Sequence, residues 1–141
     1  MDYHFRDFSI EKDYDAVIEL WNHSGAGLTV GKSDEPNELK KYLDRSPGLF
    51  IVAESGRQLI GTVLGGFDGR RAFIYHLAVD QLYQKQGIAS AMLHEMENRF
   101  KQRGVCRYYL FVKKINDNAI QFYEEQEFED LNYLRVFAKS L

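Results

Sequence analysis

Residues 84–90, Gln84-Lys85-Gln86-Gly87-Ile88-Ala89-Ser90, are the part of the chain best suited to hold an anion. They follow a short apolar stretch that ends at Val79. They open a helix in which Ile88, Met92, Met96 and Phe100 recur at four-residue spacing, with Ala89 and Leu93 beside them. A strand feeding a polar turn and then a helix leaves several backbone N–H groups unpaired and aimed in one direction, and the helix dipole favours negative charge there. Gly87 permits close approach of a ligand to the main chain, although a glycine can also do no more than start a helix. Three glycines for a dinucleotide loop, or a Gly-Lys-Ser ending for a phosphate loop, are absent from this stretch. Gly31-Lys32-Ser33 does end that way, but Ala26 stands where the first glycine would be needed and a helix precedes it in place of a strand. Metal chemistry is not indicated. Histidines 4, 23, 76 and 94 have no zinc-ligand spacing, and His94-Glu95 is followed by Asn98 where a second zinc-binding histidine would stand. His76 carries an imidazole, a ring whose unprotonated nitrogen can accept a proton.

The elements that must position these groups alternate between strand and helix patterns. Residues 2–8 alternate as a first strand. Tyr14, Val17, Ile18 and Trp21 form one helical face, with Asp13 as candidate N-cap and Gly25 as stop. Pro36 suits the first turn of a second helix that runs through Leu39, Tyr42 and Leu43 to Ser46-Pro47-Gly48. Leu49–Ala53, Leu59–Phe67 and Ala72–Val79 read as three strands in a meander, with Asp68-Gly69 as a hairpin signal. The helix from 88 to 103 leads to a strand over Arg107–Lys113, and a crossover of this length favours a parallel pairing with 72–79. A helix over 117–126 and one or two strands within Leu131–Lys139 close the chain. Alternation places Phe73, Tyr75 and Leu77 on one face of their strand and Ile74, His76 and Ala78 on the other.

At 141 residues the chain is read as one domain, residues 1–141, large enough to bury a core without staples. Cys106 is the single cysteine, so no internal disulfide is expected. A net charge of −3 with scattered basic residues offers no broad cationic face for nucleic acid. No stretch approaches the about 18–20 apolar residues of a membrane span, and no export signal precedes the domain, which points to the cytoplasm.

Two motifs resemble those of the GCN5-related N-acetyltransferase (GNAT) family. Gln84, Gly87 and Ala89 match its acetyl-CoA pyrophosphate loop, and Asn116, Ala119, Phe122 and Tyr123 match its Asn-x-x-Ala-x-x-Phe-Tyr helix, with Glu127 where the family normally has glycine before Phe128. The resemblance implies a mixed α/β (α+β) GNAT acyl-CoA N-acyltransferase fold: a mainly antiparallel sheet, a splayed parallel central strand pair and four helices. It implies acetyl-CoA as cosubstrate and acetyl transfer to a primary amine of a small molecule or peptide, by direct attack in a ternary complex. On this reading the main chain of Leu77, Ala78 and Val79 holds the pantetheine arm, and the loop Gln84, Lys85, Gln86, Gly87, Ile88, Ala89 and Ser90 holds the pyrophosphate. Asn116 contacts the arm, caps its helix, or both. Tyr123 is the general acid that protonates the leaving thiolate; its plainer role is packing beside Ile120 and Phe122. Family carboxylates that serve as base match Phe73 and Phe111, which accept no proton, so the default is water-mediated deprotonation by Glu54 or Tyr75, or an acceptor that arrives already neutral. His76 is the lesser base candidate, because alternation turns it away from Phe73, and is otherwise a core histidine. Leu28–Val30, Phe73, Tyr75 and Phe111 would line the acceptor pocket. Neither a metal, a nucleic acid nor a membrane is an expected partner, and a homodimer is left open. The missing carboxylates and Glu127 keep a non-catalytic acyl-CoA-binding module as the alternative.

Overall fold

The computed structural model of the chain describes residues 2–24 and 28–141. Two units are present, residues 1–111 and residues 112–141. The first contains β1 (His4–Asp7), α1 (Ile10–His23), α2 (Pro36–Arg45), β2 (Phe50–Ser55), β3 (Gln58–Phe67), β4 (Ala72–Val79), α3 (Ile88–Gln102) and β5 (Tyr108–Tyr109). Its sheet runs β1-β2-β3-β4-β5, antiparallel from β1 to β4 and parallel between β4 and β5. The second unit contains α4 (Asp117–Glu125). The fold is therefore mixed α/β with a mainly antiparallel sheet and, among the described residues, four α-helices.

Alternation along β3 sorts the helices onto two faces. Thr62 Oγ1 accepts the indole N–H of Trp21 from α1 at 2.8 Å, so even-numbered β3 residues meet α1. Odd-numbered Gly61 and Gly65 meet α3. A Cβ on Gly61 would lie 2.9 Å from Met92 Sδ, and one on Gly65 would lie 2.7 Å from Met96 Sδ and 2.9 Å from Phe100 Cζ. The two glycines thus let α3 lie close on the sheet, and that approach sets where the start of α3 stands relative to the end of β4. On the α1 and α2 face Phe8, Val17, Trp21, Leu39, Phe50, Val52, Leu64 and Ala78 form one core cluster, with the Phe8 and Phe50 rings stacked 4.0 Å apart. Burying each large side chain of this kind contributes about 1.5–3 kcal/mol.

Helix α1 begins earlier than its spacing predicts. Ser9 is the N-cap residue, and Asp13, expected there, lies one turn inside. Asp13 still serves the helix start, because its Oδ2 accepts the Ser9 N–H at 2.8 Å. Its carboxylate also takes two bonds from the Arg6 guanidinium at 2.7 and 2.9 Å, and Arg6 reaches Glu54 at 2.8 Å. Desolvation works to raise the Asp13 pKa, yet bonds from Arg6 and Ser9 hold it below its ordinary value; the Arg6 bond lowers that of Glu54 as well. Carboxylates depressed in the folded state bind fewer protons there than in the unfolded chain. Their stabilisation is present above the unfolded values near about 4 and is lost as pH falls through the folded ones. Urea unfolding should accordingly show stability falling below about pH 4, with a shallower fall in an Arg6→Gln variant. Equal slopes in the two proteins would remove this network from the acid response.

Other boundaries differ for physical reasons. The connection from β3 to β4 is a four-residue turn, because Asp68 Oδ1 accepts the N–H groups of both Arg70 and Arg71. The strand expected over Arg107–Lys113 keeps only Tyr108 and Tyr109 in a ladder. The strands expected within Leu131–Lys139 are not formed: residues 112–141 contain no second strand to pair with, and alternation without a neighbour makes no ladder. Gly25, expected to stop α1, lies outside the described residues; the helix ends at His23 with Ser24 as C-cap.

Candidate active site

Strand β4 departs from regular alternation at its middle. Leu64 pairs with Tyr75 and Thr62 pairs with Ala78, so two steps along β3 face three along β4, a β-bulge that takes in His76 and Leu77. His76 carries a positive φ of 45°, which costs free energy for a residue with a Cβ. The extra residue flips the side-chain phase. Phe73, opposite Gly66, and Tyr75, opposite Leu64, share the α1 face, and His76 joins them there with its ring centroid 4.3 Å from that of Trp21. The expectation that His76 faces away from Phe73 is thereby corrected: alternation fails where a bulge inserts a residue.

A short polar chain holds the bulge. Trp21 donates to Thr62 Oγ1, and the Thr62 hydroxyl donates to the His76 carbonyl at 2.9 Å. His76 Nε2 stands 3.0 Å from Asp34 Oδ1, and Asp34 Oδ2 accepts the Gly31 N–H at 3.0 Å. Thr62 has no exposed surface. A Thr62→Val variant, equal in shape, should lose about 2 kcal/mol of stability because it strands a buried indole N–H and a strand carbonyl. Denaturant unfolding reads that loss; a neutral result would show that the bulge needs no such support.

Beyond Phe73 the two parallel strands part. Only Ala72–Tyr108 and Phe73–Tyr109 pair, and from Tyr75 to Val79 that edge of β4 has no ladder partner among the described residues. Because the Asp80 N–H bonds Ile60 at 2.8 Å, ladder alternation turns the N–H and C=O of Val79 away from β3 and toward this gap. Phe73, Tyr75, Tyr109 and Phe111 gather nearby, with Phe73 5.6–6.2 Å from the other three rings. Leu28 and Val30 pack on the core cluster of the α1 face, the face that Phe73 and Tyr75 share.

The turn after β4 carries left-handed residues at Lys85, φ 62°, and Gly87, φ 84°. Alternating backbone conformations of this kind draw successive N–H groups into a concavity that suits an anion. Gly87 is the N-cap residue of α3 and supplies no side-chain cap, and the first backbone bond of the helix runs from the Ala91 N–H to the Gly87 carbonyl at 3.0 Å. The amides of Ile88 and Ala89 precede that bond, so helix geometry gives them no acceptor within α3. Among the described residues, chain neighbours aside, nothing lies within 4 Å of a Cβ built on Gly87, so they leave the mouth of the turn open. Gln84 behaves differently from its neighbours. Its side-chain Nε2 donates to Val79 O at 2.9 Å and Ser24 O at 2.8 Å, tying the turn to the ends of both β4 and α1.

In the second unit Asn116 is the N-cap residue of α4, its Oδ1 accepting the Ala119 N–H at 3.1 Å. The Tyr123 ring meets Phe122 and Phe128 edge-on, each at 5.2 Å, and burial pushes its phenol up to about 12. The helix ends in a Schellman turn: Phe128 N–H bonds Tyr123 O and Glu127 N–H bonds Glu124 O, each at 3.0 Å, with Glu127 left-handed at φ 67°. Position 127 adopts the glycine conformation without being glycine. Replacing Glu127 by Gly should relieve about 1 kcal/mol of backbone strain and raise Tm by about 2–4 °C. An unchanged or lower Tm in thermal unfolding would contradict this.

Residues 14–128 match the pattern of the Acetyltransferase (GNAT) family. The chain belongs to that family. It is 34% identical over 126 residues to an acetyltransferase of Pectobacterium atrosepticum, covering 89% of this chain and 88% of that one. An acetyltransferase of Sodalis glossinidius is 33% identical over 129 residues, covering 92% and 89%. The PaiA N-acetyltransferase of Thermoplasma acidophilum, solved in complex with coenzyme A, has a similar fold, with a TM-score of 0.78 at 24% identity and 89% of each chain covered.

For this GNAT N-acetyltransferase the first unit brings together Leu77, Ala78 and Val79 and the residues 84–90, which Gln84 ties to Val79. Asn116 and Tyr123 stand in the second unit, seven residues apart on α4 and its cap. Glu54 is a poorer base candidate than its sequence position suggested, because Arg6 and His4 engage its carboxylate on the β1 side of the sheet. Asp34 escaped the sequence reading. A lone carboxylate in a loop carries no local signal, and its burial to 4% exposure comes only with the folded chain. No group of three or more potential metal ligands occurs among the described residues, nor does any described helix have the length and apolarity to cross a membrane.

Proposed function

We propose that this acetyltransferase moves the acetyl group of acetyl-CoA to a primary amine of a small molecule or peptide, by direct attack in a ternary complex. The observation that carries the reading is the adjacency, within one unit, of an unpaired stretch of β4 and an open, uncapped start of α3. An extended pantetheine arm has amides that can bond the free edge at Leu77, Ala78 and Val79 as a further strand would. The pyrophosphate then meets the amides of residues 84–90, with Lys85 adding a point charge and Gly87 keeping the approach clear. Asn116 combines its capping bond with a contact to the arm. The amine nitrogen attacks the thioester carbon to give a tetrahedral oxyanion. The C–S bond breaks as that oxyanion collapses, the sulfur takes a proton from the Tyr123 hydroxyl, and the proton the nitrogen loses in becoming an amide restores the phenol through water. A phenol held up to about 12 stays protonated at working pH and so remains a donor.

Free-thiol release from acetyl-CoA, followed across alkylamines, polyamines, aminoglycosides and peptides with free N-termini, tests the reading. Turnover with at least one amine, together with a rise in Tm on adding acetyl-CoA, is the expected result. Tight binding without turnover on any amine would overturn it in favour of a binding module.

A further inference from the structure

The bulge in β4 carries a group whose arrangement exceeds what packing requires. His76 is kept at φ 45°, and residues held in such backbone conformations cost about 1–3 kcal/mol and tend to occur at functional sites. It is held from three sides: by Thr62 on its carbonyl, by the Trp21 ring against its own, and by Asp34 at Nε2. Asp34 is almost fully buried, and its second oxygen is committed to the Gly31 N–H. The His76 side chain nevertheless keeps 19% of its surface exposed, on the face shared by Phe73 and Tyr75. A carboxylate at Nε2 selects the tautomer that bears hydrogen there, which leaves the lone pair of the neutral ring on Nδ1.

We propose that His76, oriented by Asp34, accepts the proton of the incoming ammonium group. The proposal rests on the acetyl-transfer reading above. One N–H proton of the alkylammonium passes to Nδ1, and the freed nitrogen pair forms the C–N bond with the thioester carbon. The thiolate departs and is protonated by Tyr123, the second proton shed by the new amide nitrogen restores the Tyr123 phenol through water, and the imidazolium returns its proton to solvent. Phe73 and Phe111 have no proton-accepting atom, the carboxylate of Glu54 is held by Arg6, and desolvation raises the Tyr75 phenol above its ordinary value and keeps it protonated, so the role falls to His76. The charged and titratable groups around it are few. Asp34 faces the ring from the short turn before α2, Tyr75 adjoins it in β4, and Tyr14 of α1 donates its hydroxyl to the Asp34 carbonyl at 3.0 Å. Desolvation, with the charges of Asp34, Glu35 and Asp15, holds the Tyr14 phenol above its ordinary value, so it stays neutral. Thr62, which bonds the His76 carbonyl, and Trp21, which lies against its ring, do not titrate. No lysine or arginine among the described residues bonds the pair.

The test uses the whole chain, acetyl-CoA and the fastest alkylamine of the acceptor panel, with kcat/KM measured against pH. A His76→Gln variant keeps an amide N–H toward Asp34 but accepts no proton. Its Tm and its thermal shift with acetyl-CoA should match those of the unsubstituted protein, while kcat/KM at neutral pH falls about 100-fold. That deficit should shrink as pH rises and the free amine becomes abundant. An Asp34→Asn variant should lose about 10-fold in kcat/KM. A His76→Gln profile identical to that of the unsubstituted protein, or a deficit equal at every pH, overturns the proposal. If the unsubstituted protein itself releases no thiol with any amine, the acetyl-transfer reading fails; if it turns over and His76→Gln matches it, only the assignment of His76 fails.

Discussion

A Gly87→Val variant is expected to bind acetyl-CoA about 100-fold more weakly, a loss of about 2.7 kcal/mol. Two effects combine. Position 87 is left-handed at φ 84°, so any Cβ there costs about 1–2 kcal/mol of backbone strain, which the turn relieves by moving its amides out of line. The valine side chain also stands in the open mouth of the turn, where no atom of the described residues beyond its chain neighbours lies within 4 Å, and so it excludes ligand rather than clashing with them. Each charge-assisted bond from an amide to an anion contributes about 1.5–3 kcal/mol, so the loss of a single one accounts for most of the effect. Gly87→Ala separates the two causes, since it shares the strain with a smaller obstruction. Calorimetric titration with coenzyme A reads the affinities. A Kd unchanged in Gly87→Val would remove these amides from pyrophosphate binding.

For Tyr123→Phe the expected loss is about 100-fold in kcat, with the affinity for acetyl-CoA unchanged. Phenylalanine preserves the edge contacts to Phe122 and Phe128 and the Schellman bond from the Phe128 N–H, all of which use the ring or main chain of position 123. Only the hydroxyl is removed, so a change in kcat is a change in chemistry. With the phenol pushed up to about 12, its protonated form persists through the alkaline range, and the loss should be the same at about pH 7 and about pH 10. A variant that retains full kcat with the preferred amine would show that the thiolate leaves unassisted or takes its proton from water.

Legibility in the sequence followed the range of the interactions. Helix α3, its glycine turn and the capping role of Asn116 could be read directly, because apolar spacing, turn chemistry and N-capping are set within a few residues. The meander of β2, β3 and β4 was legible for the same reason, with boundaries displaced by one or two residues. Ser9, rather than Asp13, opens α1, with the Asp13 carboxylate taking the Ser9 N–H and the guanidinium of Arg6, which reaches the helix from β1.

Residues in Leu131–Lys139 illustrate the opposite limit. Their alternation describes what a strand would bury, but a ladder needs a neighbour, and residues 112–141 contain none. His76 is the more consequential case. Strict alternation put it on the far face, and a one-residue bulge, stabilised by Thr62 from β3, Trp21 from α1 and Asp34 from the turn before α2, put it on the near one.

What the residues alone determined was the family, the fold class and the glycine turn that leads into α3, since these rest on local spacing that any chain with this pattern must express. What only the folded chain decided was which side chains share the gap between β4 and β5 and which carboxylate meets His76. Those pairings join residues as much as 42 positions apart, and their register is set by packing across the sheet, which local pattern does not encode.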